Sequence, residues 1–359
     1  MYQKSDTPGS TSEGYLRYSY RKVAFLVGCT VLLVAMSIGI IRLGDTGLTY
    51  WQIIKYILHP DDSWYSTVVW DLRIRVILAS VVAGAALGLA GAVMQIILRN
   101  PMASPFTLGI SNAAAFGASF AILFFNGGTM SVSISGSTVA INQPLLVTAC
   151  AFAFAMLCTL IMLLIVKITD VSPESIVLAG MAMSSVFSAL MSFVQLMADS
   201  TKLSAIVGWQ FGSVSRITWN EQYLLIGVLV VIAAYYLYKR WDYNAMESGE
   251  DVARGLGVNI ARTRLVGLIL SAVLTSIVVS FMGVIGFVGL IAPHIVRKFL
   301  GTDNRFVLPG SIIIGGLVML LAYLVGSYAF PTVIPIGIIT SAVGGPMFIA
   351  ILIARRRRR

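Results

Sequence analysis

The sequence predicts an all-α polytopic membrane protein with ten transmembrane helices. Three observations carry that expectation. Hydrophobic residues make up 58% of the 359 positions and charged residues only 11%. Mean hydropathy is +0.88, and no soluble domain of this length hides so much apolar surface. The apolar residues also come in runs near the ~20 residues that cross a bilayer. Finally, Lys and Arg divide unevenly between alternating connections, as they do across a cytoplasmic membrane.

The elements follow in order. Residues 1–22 are polar, show no signal peptide and read as a cytoplasmic tail, so the first apolar run, 23–41, is retained as a span. Residues 42–71 form an outer connection with Tyr50, Trp51, Trp64, Tyr65 and Trp70, aromatics suited to the headgroup level. Spans two to five are expected at 76–98, 107–125, 144–166 and 175–197. The third is rich in Gly109, Ser111, Asn112, Gly117 and Ser119, which are poor against lipid but allow close backbone approach, so it belongs inside the bundle. A short apolar piece at 203–211 reads as re-entrant or interfacial, and span six follows at 222–238.

Residues 265–296 hold no Asp, Glu, Lys or Arg. The run is too long for one ordinary span and too short for two full ones. Two short crossings, 264–282 and 284–297, keep Arg297, Lys298 and Arg305 inside. Spans nine and ten are expected at 306–326 and 333–354, so the membrane domain covers 23–354. The tail 355–359 is five arginines, which after an apolar span anchor to anionic headgroups and do not bind nucleic acid. This topology puts 19 of the 25 Lys and Arg inside, with both termini cytoplasmic.

No catalytic constellation is visible. Neither His59 nor His294 has a partner pattern, and Cys29, Cys150 and Cys158 lie in apolar runs as small hydrophobes. No phosphate-binding loop of the Gly-rich Lys-Ser/Thr type is present. Spans 2–5 and 7–10 lack Asp, Glu and Lys at their centres. An ion-coupled carrier usually needs such a group, so a secondary transporter is the weaker reading and energy is expected from outside the chain. The loop 242–263 is the candidate receiver. It mixes Glu247, Glu250, Asp251, Arg254 and Arg262 with Val252, Leu256 and Val258, broken by Gly249, Gly255 and Gly257. A short helix over 250–256 with a glycine stop would make a compact knob for a soluble partner. In span five, Met181, Ser184, Ser185, Ser188 and Met191 offer small hydroxyls and flexible thioethers for a pathway lining.

Four ordered motifs then carry a resemblance from about residue 72 to 354: RNPMASPFTLGIS (99–111), GEDVARGLGVN (249–259), GFVGLIAPHIVR (286–297) and PIGIITSAVGGPMF (335–348). Together they resemble the FecCD-type permeases, membrane subunits of ABC importers for iron–siderophore, haem and cobalamin. The resemblance implies the type II ABC importer permease fold and a homodimer with a central pathway. It implies two ATP-binding subunits below and an extracytoplasmic substrate-binding protein above, with ATP used by the partner and no cofactor in this chain. It also implies a cell-membrane location and, by family frequency, an iron–siderophore cargo, with haem or corrinoid as the alternative. The ATPase-contacting segment falls on Glu250, Asp251, Ala253, Arg254, Leu256 and Gly257. Binding-protein docking falls on Arg73 and Arg75, although the family's usual Arg-Leu-Pro-Arg is here Arg73-Ile74-Arg75. Near the end of span nine, the family's Ala-Asp-x-x-Ala-Arg is replaced by the stretch from Ala322 to Ser327.

Overall fold

A computed structural model of the chain describes residues 8–43, 47–125, 127, 129–133, 136–140, 143–169 and 172–356. The fold is all-α apart from one short hairpin. In chain order the helices are α1 (Pro8–Arg42), α2 (Tyr50–Leu58), α3 (Trp64–Thr67), α4 (Arg75–Ile97), α5 (Ile110–Phe124), α6 (Pro144–Thr169), α7 (Pro173–Met197) and α8 (Ser200–Gln210). There follow α9 (Trp219–Tyr238), α10 (Arg240–Ser248), α11 (Glu250–Gly255), α12 (Ile260–Met282), α13 (Val288–Leu300), α14 (Asn304–Tyr328) and α15 (Ile336–Arg356). A π-helical stretch, Val68–Ile74, leads into α4. Between α5 and α6 an antiparallel pair, β1 (Thr129–Ser133) and β2 (Gly136–Ala140), sets Thr129 opposite Ala140. The sequence reading does not include it. Its Ser/Thr/Val alternation is a strand signal, lost there among small polar residues.

Each expected span coincides with a helix. Among the described residues, seven helical stretches are long and apolar enough to cross a membrane, and α5 and α15 are shorter apolar helices. The charge-free run divides after Met282, as the sequence predicts. Its first part belongs to the 23-residue α12, which starts before the run at Ile260, and its second is the 13-residue α13. At 1.5 Å per residue α13 spans roughly 20 Å, short of a hydrocarbon core. The break between them is built from Gly283 at φ 82 and Phe287 at φ 64, the latter in a region that bulky side chains rarely adopt.

α4 is the axis of the subunit, with all but a few of its residues buried. Its glycines explain how. A Cβ on Gly84 would lie 2.2 Å from the Gly315 carbonyl oxygen of α14, and one on Gly91 would lie 1.8 Å from that of Gly289 in α13. Only glycine lets these backbones meet. α5 is also interior, packed between α6 and α7. α1 is peripheral: only 6% of its most apolar stretch is buried. Aromatic contacts hold its N-terminal half, with Phe25 stacked on Phe299 and the Lys22 ammonium over the rings of Tyr18 and Phe306.

The helix ends sort into two faces. One carries Lys22, Arg99, α10, α11, Arg264 and Arg297 and is called the basic end below. The opposite end carries α2, α3, the hairpin and the turn before α9. Residues 1–7 and 357–359, with Lys4 and most of the arginine tail, lie outside the described residues.

Candidate functional site

At the basic end the loop 242–263 folds into two short helices. α10 buries Tyr243, Ala245 and Met246. Gly249 then takes φ 134 and ψ 150, a backbone state closed to other residues, and turns the chain into α11. Glu250 and Asp251 sit in the first turn of α11, where the helix dipole favours anions. Leu256 ends the helix, and Gly257 at φ 81 releases the chain. Ala253 is fully buried, while Val252, Arg254 and Leu256 project, Leu256 at 69% exposure. α11 thus presents an apolar side chain beside an exposed arginine.

This knob is tied down at two places. Glu250 Oε1 accepts from Arg264 Nη2 at 2.7 Å, and Arg264 Nε donates to the Ile97 carbonyl at 2.9 Å. The guanidinium, with its side chain 3% exposed, therefore joins α11, α12 and the last carbonyls of the axial helix α4. α10 is held separately. Glu247 pairs with Arg297 of α13, and its other oxygen accepts from Asn304 Nδ2 at 3.1 Å. Asn244 Oδ1 accepts from the Asn304 backbone at 2.7 Å, and Asn244 Nδ2 donates to Asp303 at 3.2 Å. Asp303 caps α14 and pairs with Arg305 at 2.6 Å. Burial pushes the Asp303 carboxyl up, but the hydrogen bonds from Arg305 and Asn244 outweigh it and leave it below its ordinary range. Beside the knob a cavity of about 880 Å³ is lined by Arg99, Glu174, Glu250, Arg254, Asn259 and Arg264.

The expected docking arginines of the opposite end are engaged within the chain. Arg73 is 6% exposed, and its Nη1 donates at 2.7 Å to Ile41 O in the last turn of α1. Arg75 donates to Asp71 O at 3.0 Å, to Ser215 O at 3.2 Å and to Ile217 O. In this conformation Arg73 is almost wholly covered, while Arg75 is partly exposed. A third arginine, unremarked in the sequence, behaves alike: Arg216 donates to Trp209 O at 3.0 Å and Gly208 O at 2.5 Å. Burial pulls its guanidinium down to about 10, still cationic at neutral pH. The exposed cations at this end include Arg42 and Lys55.

The α7 residues divide. Met181, Ser185 and Ser188 lie on its open face. Ser192 continues the line, so positions 181, 185, 188 and 192 make a stripe of helical period. Ser184 and Met191 turn instead toward α5: Asn112 Nδ2 donates to Ser184 O at 3.4 Å, and Ser119 Oγ lies 3.8 Å from the Met191 sulfur. Sequence reasoning also missed α10 and the Asn244–Glu247–Asn304 contacts. The Asp303 cap was legible as an acidic residue ahead of an apolar run.

A family model described as the FecCD transport family matches residues 29–354. An ABC transporter permease of Methanocaldococcus jannaschii is 42% identical over 96% of this chain and 98% of its own. An Fe(3+)-citrate import permease of Bacillus subtilis is 29% identical over 96% and 98%. A vitamin B12 import permease of Vibrio cholerae is 31% identical over 82% and 86%. Among solved structures, an ABC transporter described as of metal-chelate type, in an inward-facing conformation, superposes with TM-score 0.78 at 28% identity. That alignment covers 92% of this chain and 99% of the other.

Proposed function

The chain belongs to the FecCD transport family and is an integral-membrane permease of the ABC importer class, and from that premise we propose that it passes an iron(III)–siderophore-type chelate through the cell membrane. It works as a pair of identical subunits, with both termini and the basic end in the cytoplasm. Two ATPase subunits dock on α11, and an extracytoplasmic binding protein delivers cargo at the opposite end. ATP is bound and hydrolysed by the partner. The observation that carries this reading is the knob, with Val252, Arg254 and Leu256 outward and Ala253 and Glu250 anchored inward. A solvated connector would not combine an apolar exposed face with a buried ion pair beneath it. The stripe Met181, Ser185, Ser188 suits a pathway at the axis between two copies, weakly polar and without strong ligands for a bulky chelate.

Arg254→Glu tests the knob. Arg254 is two-thirds exposed and lies 3.6 Å from Glu250 and 4.0 Å from Asp251, so its ion pairs contribute less than about 1 kcal/mol to stability. The variant should assemble and hydrolyse ATP in proteoliposomes with its ATPase but lose uptake. Wild-type uptake would sink the docking assignment, and uptake driven by an ion gradient without ATP would turn the reading to a secondary transporter. The vitamin B12 permease among the relatives keeps a corrinoid as the second cargo. Uptake of radiolabelled ferric siderophore against labelled corrinoid, with the cognate binding protein, decides between them.

A further inference from the structure

α2 carries three sectors, which the geometry of a 100° turn per residue separates. Ile53 is buried against Leu48 and Val69, with Tyr56 and Ile57 packed beside it. Gln52, Lys55 and the capping His59 form a second, polar sector about 120° round the helix and are exposed. Between the two lies a third sector, Trp51, Ile54 and Leu58. It is apolar yet open, with Trp51 at 78% and Leu58 at 67% exposure. Tyr65 of α3 stacks on Tyr56, on the flank of α2 away from this open sector. A helix lying in the plane of a membrane interface needs this arrangement: one flank on the protein, one in the acyl boundary, one in water.

We infer that α2 lies in the outer headgroup layer, with Trp51, Ile54 and Leu58 inserted into phospholipid. Two further observations choose lipid over a docking protein. The open apolar sector continues from α1, whose exposed Val27, Val31, Val34 and Ile38 already make a lipid-facing surface that ends at Arg42. Arg42 itself stacks on Tyr50 at 5.0 Å, a cation and an aromatic at the level where both are enriched. A protein approaching along the membrane normal would meet Gln52, Lys55 and His59, not the apolar flank. The anchor has a mechanical consequence. Trp70 Nε1 donates to Tyr56 O at 3.1 Å, and Ile53 packs on Val69, so α2 holds the π-helical stretch from which the axial α4 starts.

Spin labels at Gln52→Cys, Ile54→Cys, Leu58→Cys and His59→Cys, with the three native cysteines replaced, test this in phosphatidylcholine vesicles. Positions 54 and 58 should be reached by oxygen in preference to a water-soluble nickel reagent, and positions 52 and 59 should show the reverse order. Quenching by brominated phosphatidylcholine should also fall in Trp51→Phe, a readout that needs no cysteine. Equal nickel access at all four positions, with quenching unchanged in Trp51→Phe, would overturn the inference. So would loss of oxygen access at 54 and 58 when the extracytoplasmic binding protein is added, which would make the flank a protein-docking surface.

Discussion

The two ends of the molecule use arginine differently. At the basic end, guanidinium groups hold carboxylates: Arg264 on Glu250, Arg297 on Glu247, Arg305 on Asp303. At the opposite end, Arg73, Arg75 and Arg216 hold backbone carbonyls near the ends of α1, α4 and α8. A carbonyl left alone is a neutral dipole, whereas a carboxylate left alone is an uncompensated charge. The basic end is therefore a charge-neutralised hub beneath α11, in which each charge depends on its partner. At the opposite end Arg73 and Arg216 cap the C-terminal turns of α1 and α8, and Arg75 ties the start of α4 to the turn before α9. Arg254 on α11 is the more exposed, whereas Arg73 is buried.

The sharpest way to break this comparison is Arg264→Met. Arg264 is buried, so its loss takes the donor from the Ile97 carbonyl and leaves Glu250 only the exposed Arg254 at 3.6 Å. That should cost about 3 kcal/mol, read from denaturant titration in mixed micelles. Adding Glu250→Gln should recover part of that loss, because the stranded charge is gone. If the double variant is as damaged as the sum of the singles, the pair does not act as a unit. Arg73→Ala should cost less, about 2 kcal/mol, the upper range for a hydrogen bond from a charged donor. A larger loss than for Arg264→Met would reverse the contrast between the ends. Arg73→Ala should also leave the salt dependence of binding-protein association unchanged, since a buried cap steers nothing.

The smallest effect belongs to the Asp303 cap. Asp303→Ala should cost about 1 kcal/mol, the usual value for an N-cap. Its carboxyl is depressed in the folded chain, so its contribution is complete above the unfolded carboxylate range and is lost as pH falls through the folded value. Asp303→Asn should therefore lower stability at neutral pH, where the carboxylate's contribution is complete, and flatten the loss of stability on acidification. An unchanged acid profile would show that Asp303 contributes only geometry. Between the ends, disulfide formation in Ser188→Cys but not Ser184→Cys would place the open face of α7 against a second copy. The opposite result would place the axis elsewhere.

Much of the fold was legible because membrane helices announce themselves by length. Each of the ten expected spans falls on a helix, although α1 starts at Pro8, 15 residues before its expected span. The knob was legible too, since Gly249 and Gly257 bracket a mixed apolar and charged turn. α10 was not, because nine residues of mixed polarity give no span signal.

What the sequence determined by itself was the helical inventory, the uneven distribution of positive charge and the family, since each rests on local runs or ordered motifs. What only the tertiary structure decided was which faces meet. A helix apolar all round, such as α4, carries no stripe to say whether lipid or protein surrounds it, because the two are equally apolar. The glycines of α4 and α14 resolve that only once Gly84 is seen against Gly315. The arginine partners were hidden for a related reason. Arg73 reaches a carbonyl 32 residues away and Arg264 one 167 residues away. A backbone carbonyl is offered by every residue, so nothing in the side-chain sequence marks the one that packing brings within reach.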